Sequence, residues 1–336
     1  MLNTVQMQNE TEPSYKAPGR AMPHTHGIPQ LQLYIALSLC SFLKAGERLF
    51  LARSLDTLEA LTVLSIEDIS IMLQRRLTPY AFSRIKAMPP LVEKTYALME
   101  RYHIHTTFHD DLDFPPLLRE IADKPFFLYY RGVLPNPEIP AVAIVGTRRP
   151  TGLGIKTAVR LGKECGQAGI PVISGLARGI DAFSHRGALD ASGTTAAVLA
   201  CGVDQFYPVT NRQLAGHILE QGGCVLSEYA PGEPPLAYRF PQRNRIISGL
   251  ARSVTVVEAP EKSGALITAD FALEQGRDVY VCKPLLDSQQ NAGCKRLAEE
   301  GALAIEHACD ILHDWETPSL RQVHKEKQIP LFAKQR

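Results

Sequence analysis

The chain lacks most of what would place it in a membrane, outside the cell or among metal proteins. No apolar stretch approaches the ~20 residues of a bilayer span. The opening MLNTVQMQNETEPSYKAPGR has neither a basic n-region nor an apolar h-region, so it is no secretory signal. The seven cysteines (Cys40, Cys165, Cys201, Cys224, Cys282, Cys294, Cys309) include no CxxC pair. Most lie in apolar runs, as reduced buried thiols of a cytoplasmic protein would. Net charge is almost absent too: 36 Lys+Arg against 35 Asp+Glu leave +1, so the molecule as a whole is no polyelectrolyte binder. Two nucleotide signatures are missing. There is no GxxxxGK[ST], which argues against NTP hydrolysis. GTRRPTGLG (146–154) follows a strand and opens a helix but is not GxGxxG; in GLGIKT, Thr157 stands where the third glycine belongs. The next strand ends in Ser174-Gly175, without a carboxylate for a ribose. No nicotinamide, flavin or metal cofactor is expected.

What is present divides into regions. An apolar fraction of 45% over 336 residues supports two domains, or one large domain with an appendage. Residues 1–29 are polar and rich in Pro, Gln, Asn and Thr, which predicts a disordered tail. Residues 30–101 carry apolar positions at three- and four-residue spacing, which predicts a bundle of four or five helices. Residues 102–140, with repeated prolines and short aromatic runs, read as a connector holding one or two strands. From Ala141 the rhythm changes. AVAIVG (141–146), IPVISG (170–175), TAAVLAC (195–201), CVLSEY (224–229), SVTVVEA (253–259) and DVYVCKP (278–284) alternate with helical segments near 153–168, 180–191, 211–221, 242–250 and 264–275. This pattern over 141–312 predicts an α/β fold: a Rossmann-like parallel sheet with helices on both faces. Ligands of such sheets sit beyond the strand carboxyl ends, here TRRP, GLARG, CGVDQFYP, EYAPGE and EAPEKSG. A polar tail, 313–336, is too short for a further domain.

The most telling stretch is SGLARGIDAFSHRGAL (174–189), a glycine-rich turn before a helix. Gly175 and Gly179 frame Arg178, and Asp181 falls where a helix cap is expected. Backbone amides at such a turn suit an anion, and the turn carries no obvious nucleophile. Asp181 and His185, at i and i+4, are either an acid–base pair or a cap and a satisfied core histidine. The second stretch of interest runs from Arg239 to Arg252, with four arginines (239, 243, 245, 252) and no acid. Arginine forks suit phosphate. Tyr238 and Phe240 beside them suit either base stacking or core packing. Arg148 and Arg149 suit phosphate contacts or surface ion pairs. Ser263, Gly264 and Thr268 in SGALIT suit phosphate contact or capping. His103 and His105 would share a face if both lay on one strand, and with His109 near Asp110, Asp111 and Asp113 they are either metal ligands or a solvated connector.

The motifs GTR, SGLARGIDAFSH, PQRNRIISGL, VVEAPEKSGALITADFALEQGRDVY and the upstream DFPPLLREIADKPFFLYYRG, in this order over about Asp113–Lys283, resemble the DprA/Smf proteins. The helical 30–101 segment resembles, more weakly, their SAM-like or helix-hairpin domain. The resemblance implies an extended Rossmann-like domain in a non-enzymatic, dimeric binder of single-stranded DNA. Such proteins protect incoming DNA in natural transformation and help load the RecA recombinase. Carried over by motif, it implies DNA contacts at Gly146, Thr147 and Arg148. It implies others at Ser174, Gly175 and Arg178, and at Arg243, Asn244 and Arg245. Three places depart from the family pattern: Val209 and Ala237 replace frequent lysines, and Lys283-Pro284 replaces a glycine-rich turn. Arg212 and Arg239, close by in sequence, could return the missing charge. The winged helix that many members carry has no room here. Two other readings are a Rossmann-like enzyme on nucleotides or phosphosugars, against which the PGGxGTxxE signature is absent, and a protein whose arginine stripe meets an acidic partner surface.

Overall fold

A computed structural model describes residues 27–316. The expected tails at 1–29 and 313–336 lie outside the described residues except at their inner ends. Six helices come first: α1 (Ile28–Leu39), α2 (Ala45–Ser54), α3 (Leu58–Val63), α4 (Ile66–Met72), α5 (Pro79–Lys86) and α6 (Met88–Tyr102). The count exceeds four or five because the middle of the segment is divided by its own caps. Thr57, Ser65 and Thr78 each accept a hydrogen bond from the amide three residues on, starting a new short helix each time.

The segment after Tyr102 joins the sheet. β1 (His105–Phe108) and β2 (Phe127–Gly132) flank α7 (Pro116–Glu120). Then follow β3 (Val142–Val145), α8 (Gly152–Gln167), β4 (Val172–Ser174), α9 (Ile180–Asp190), β5 (Thr195–Val198), α10 (Arg212–Glu220) and β6 (Cys224–Ser227). The chain continues with α11 (Arg239–Gly249), β7 (Ser253–Val256), α12 (Gly264–Glu274), β8 (Asp278–Cys282), α13 (Ala292–Glu299), β9 (Leu303–Ile305) and α14 (Ala308–Glu316). All six expected strands form, several of them shorter than their apolar runs. β9 was not foreseen: three residues are too few for an alternation to show. α11 starts three residues earlier than its apolar pattern, because Pro241 falls in the first turn, where no amide is needed.

The nine strands lie in one sheet, in the order β1-β2-β6-β5-β4-β3-β7-β8-β9. From β6 to β9 all neighbours are parallel, while β1 and β2 are antiparallel additions at one edge. Alternate strand residues divide between two faces. Ala143, Val145, Ile173, Val198, Leu226, Val254 and Val281 pack with Leu118 of α7, Ile246 and Ile247 of α11, Ala269 of α12 and Leu297 of α13. On the opposite face, Val142, Ile144 and Val172 meet α8 and α9. On that same face Tyr129, Ala197 and Val225 share a core with α10 and the N-terminal helices. Tyr34 of α1 stacks on Phe108 at 4.2 Å, and the Ser38 hydroxyl lies 2.7 Å from that of Tyr129. The first six helices therefore cover a sheet face that would otherwise stand open.

Candidate functional site

β3 pairs with β4 on one side and with β7 on the other, so the chain reverses its lateral direction at β3. Loops leaving neighbouring strands part at such a point. Here they open a cleft of about 720 Å³ at the carboxyl edge. Its walls come from Gly146–Arg149 after β3, from Phe240, Arg243 and Asn244 on α11, and from Lys262–Ala265 at the start of α12.

Arg243 forms the floor. It is 4% exposed, and its Nη1 donates to Gly175 O at 2.8 Å and to Val198 O. The guanidinium thus joins the ends of β4 and β5. Glycine is required opposite it: a Cβ on Gly175 would stand 2.6–2.7 Å from the guanidinium atoms. Gly179, at φ +80°, serves a similar purpose, since a Cβ there would meet Thr147 O at 2.3 Å. The two glycines of the 174–189 run therefore admit parts of the protein itself. Burial pulls the Arg243 guanidinium down to about 10, the Asp181 carboxylate acting against this and Arg148 with it. It remains a cation at neutral pH.

The expectation of open amides at this turn is corrected. Asp181 is not the cap of α9; Gly179 holds that position. The Asp181 carboxylate instead accepts from the Gly175 amide at 3.1 Å and from that of Ala177, filling the turn with the protein's own anion. Burial raises the Asp181 pKa, and Arg243 and these amides oppose the rise. His185 is fully buried and lies 2.6 Å from Thr195 Oγ1 rather than on a backbone carbonyl. The Thr195 hydroxyl donates to Val172 O, so the imidazole Nδ1–H must be the donor to Thr195. Burial drives the histidine pKa down to about 3 and holds the ring neutral. Asp181 and His185 share no hydrogen bond. They act as scaffolding.

An aromatic and cationic rim surrounds the cleft. The Arg148 guanidinium lies over the Phe240 ring at 5.5 Å, and Tyr207 meets that ring at 5.6 Å. Phe240 is half-buried, while Tyr207 and Tyr238 are 47% and 58% exposed. None of the three belongs to the core. Arg148, Arg149 and Lys262 are exposed along the same opening. Lys262 and Tyr207 escaped selection from the sequence, although both lie in strand-end loops where ligands of this sheet type bind.

The structure gathers Gly146, Thr147, Arg148, Arg149, Phe240, Arg243, Asn244, Ser263 and Gly264 at the cleft. Buried Thr268 and Asp181 also border it, but the remaining candidates lie elsewhere. Arg245 is buried and bonded to Glu228 at 2.7 Å and Asp123 at 2.8 Å, which hold its pKa up despite burial. Arg239 is 7% exposed, pairs with Glu233 at 2.7 Å and stacks on Tyr229. Asp123 and Glu228 reach Arg245 from 122 and 17 residues away, beyond what the local sequence shows, whereas Glu233 stands six residues before Arg239. Ser174 is buried, with its hydroxyl on Ile144 O. Gly175 is closed between Asp181 and Arg243. Arg178 and Arg212 are exposed beyond the cleft lining. Ser263 caps α12, accepting from Ala265 N at 3.3 Å.

Glu258, which sequence reasoning missed, explains the defective dinucleotide loop. Its carboxylate is 1% exposed and accepts from the Thr151 amide and hydroxyl at the start of α8. A cofactor phosphate would need that position. Gly154 is a glycine because a Cβ would fall 2.0 Å from Glu258 Oε2. The connector histidines are separate: His103 ends α6, His105 leans on Tyr130, and His109 is buried against Phe114 with its pKa lowered by burial. His103 precedes β1, so the shared strand face does not exist. Burial pushes the thiols of Cys40, Cys165, Cys201 and Cys294 up to about 12. No described helix is long and apolar enough to cross a membrane.

Residues 105–316 match the family model of DNA recombination-mediator protein A. The chain is 44% identical over 226 residues to Protein Smf of Synechocystis, a match covering 66% of this chain but only 56% of that relative. It superposes on DNA processing protein A (DprA) of Streptococcus pneumoniae with a TM-score of 0.70 at 33% identity, covering 84% of this chain and 97% of that one. It also resembles DNA processing protein A of Helicobacter pylori, a structure described for its single-stranded DNA binding mode. There the TM-score is 0.57 at 28% identity, over 64% and 96% of the two chains.

Proposed function

Because the chain belongs to the family of DNA recombination-mediator protein A, the DprA/Smf proteins, we propose that its cleft holds single-stranded DNA. The observation carrying this reading is the juxtaposition of exposed cations with an aromatic surface at one opening: Arg148 over Phe240, Tyr207 beside it, and Lys262 in the lining of the same cleft. Single-strand binders without sequence preference combine a cationic groove for phosphates with rings on which any base can stack. The fixed Arg243 cation and the amide-bound Asp181 give this groove a rigid floor. Gly146, Thr147, Arg149, Asn244, Ser263 and Gly264 complete the contact surface. Arg178 and Arg212, outside the lining, border the strand's approach.

In this reading the protein acts without chemistry. That is supported by the neutral, sealed His185 and by a carboxylate already engaged with backbone amides. Family membership supports the rest. The protein works as a homodimer in the cytoplasm, protects incoming strands in natural transformation and helps load RecA onto them. Residues 141–312 form the DNA-binding domain, 30–101 a SAM-like appendage and 102–140 the join between them.

The test is a salt titration of oligo(dT) binding by fluorescence anisotropy, with wild type and Arg148→Ala. Each phosphate contact removed should flatten the dependence of log K on log[salt] by about 0.7 for a single strand. An unchanged affinity and slope would sink the cleft as the DNA site. Competition between oligo(dT) and an acidic protein partner separates the DNA reading from a protein-docking role. Release of base from nucleoside monophosphates would revive the enzyme reading.

A further inference from the structure

The cleft ends at the loop carrying Arg148 and Arg149, and that loop leads directly into α8. The solvent-facing side of α8 presents Leu153, Lys156, Lys163 and Gln167, with Arg160 and Glu164 half-buried beside them, so its fully exposed charges are cations alone. The surface helices α6 and α13, in contrast, mix their charges: α6 exposes Glu93, Lys94, Glu100 and Arg101, and α13 exposes Lys295, Arg296 and Glu299. In a chain of net charge +1, a single-sign helix face leading away from a cationic cleft is a local concentration, not a reflection of composition. The one acid within α8, Glu164, is engaged by His307 Nδ1 at 2.9 Å and the Ala308 amide at 2.8 Å. Arg160 points one nitrogen to Glu306 O at 2.8 Å and stands 3.9 Å from Glu164. Lys156 and Lys163 are exposed and make no ion pair among the described residues.

We propose that this face of α8 is a second segment of the nucleic-acid surface, carrying phosphates of the same single strand onward from the cleft mouth at Arg149. The inference rests on the cleft reading and extends it. Three features fit this occupant. The helix begins three residues after Arg149 of the cleft wall. Its charge is complementary to a phosphate backbone. Its cations are also spread out: Lys156 and Lys163 are seven residues apart, about 10 Å along the helix, with Arg160 between them. Each can therefore meet a different phosphate. The helix is also firmly seated. A Cβ on Gly162 would fall 2.2 Å from Ser184 O, and one on Gly187 would fall 2.1 Å from Val159 O, so α8 and α9 touch backbone to backbone. Phosphates bound here would be held in fixed relation to the cleft.

The test uses the full chain with Lys156→Gln/Lys163→Gln, a surface double substitution whose folding is checked by its melting temperature. Binding is measured at near-physiological salt, where screening confines exposed charges to about 8 Å. A six-nucleotide oligo(dT) serves as the short probe, and a thirty-nucleotide one is long enough to reach along α8. For the long strand the double variant should bind about tenfold more weakly, with a salt slope flatter by about 1.4, while the short strand is unaffected. Unchanged binding of the long strand, or an equal loss on both lengths, would overturn the proposal. Failure of the cleft itself reads differently: Arg148→Ala would then leave short-strand binding unaltered whatever α8 does.

Discussion

Gly175→Ala adds one methyl group, and the structure gives its consequence in both stability and binding. The new carbon would stand 2.6 Å from Arg243 Nη2 and 2.7 Å from Cζ and Nη1, well inside contact distance. A guanidinium at the end of a free side chain would swing aside. This one is 4% exposed and bonded to Gly175 O and Val198 O, so moving it breaks bonds to buried carbonyls. A hydrogen bond involving a charged group contributes about 1.5–3 kcal/mol. Overpacking costs about 1–3 kcal/mol when neighbours can partly adjust. The substitution should therefore destabilise by about 2–4 kcal/mol. Urea unfolding followed by fluorescence is well suited, because the chain's only tryptophan, Trp315, is 7% exposed on α14. Gly216→Ala is the matched control. It lies inside α10 with nothing within 4 Å of a new Cβ, and should stabilise by about 0.5–1 kcal/mol. Oligo(dT) affinity should fall with Gly175→Ala and hold with Gly216→Ala. Equal stabilities for wild type and Gly175→Ala, within about 0.5 kcal/mol, would refute the claim that Arg243 is held rigidly by this turn.

His185 predicts an acid sensitivity. Its folded pKa of about 3 lies below the ordinary histidine value of 6.5, so the unfolded chain binds a proton that the folded chain does not. Its contribution is complete above pH 6.5 and declines as pH falls toward 3. Between pH 7 and 5 this amounts to about 2 kcal/mol of stability. His185→Gln should flatten that part of the stability–pH profile, and an identical profile in the variant would show that the ring titrates freely. Phe240→Ala should weaken oligo(dT) binding by about 1–3 kcal/mol with the salt slope unchanged, the mark of lost stacking. A change of slope comparable to that of Arg148→Ala would mean that the ring acts only by positioning the arginine.

Much of this protein was legible along the chain. Apolar runs alternating with amphipathic helices determine a parallel, doubly covered sheet, because strand and helix periodicities are local properties. The position of the cleft followed as well, since ligands of such sheets gather at the carboxyl ends where the strand order reverses. The absence of a dinucleotide fingerprint was equally plain. What the tertiary structure alone decided was which charges remain available. Arg239, Arg243 and Arg245 look equivalent within one stripe, yet Arg243 floors the cleft while the other two are neutralised by Glu233, Glu228 and Asp123. In the same way, Asp181 and Glu258 occupy two helix entrances that glycine-rich loops had marked as anion sites. Charge availability depends on partners brought in from other segments and on burial, and both are set by packing. Local sequence can say where a cation stands on an element, but not whether an anion of the protein has already reached it.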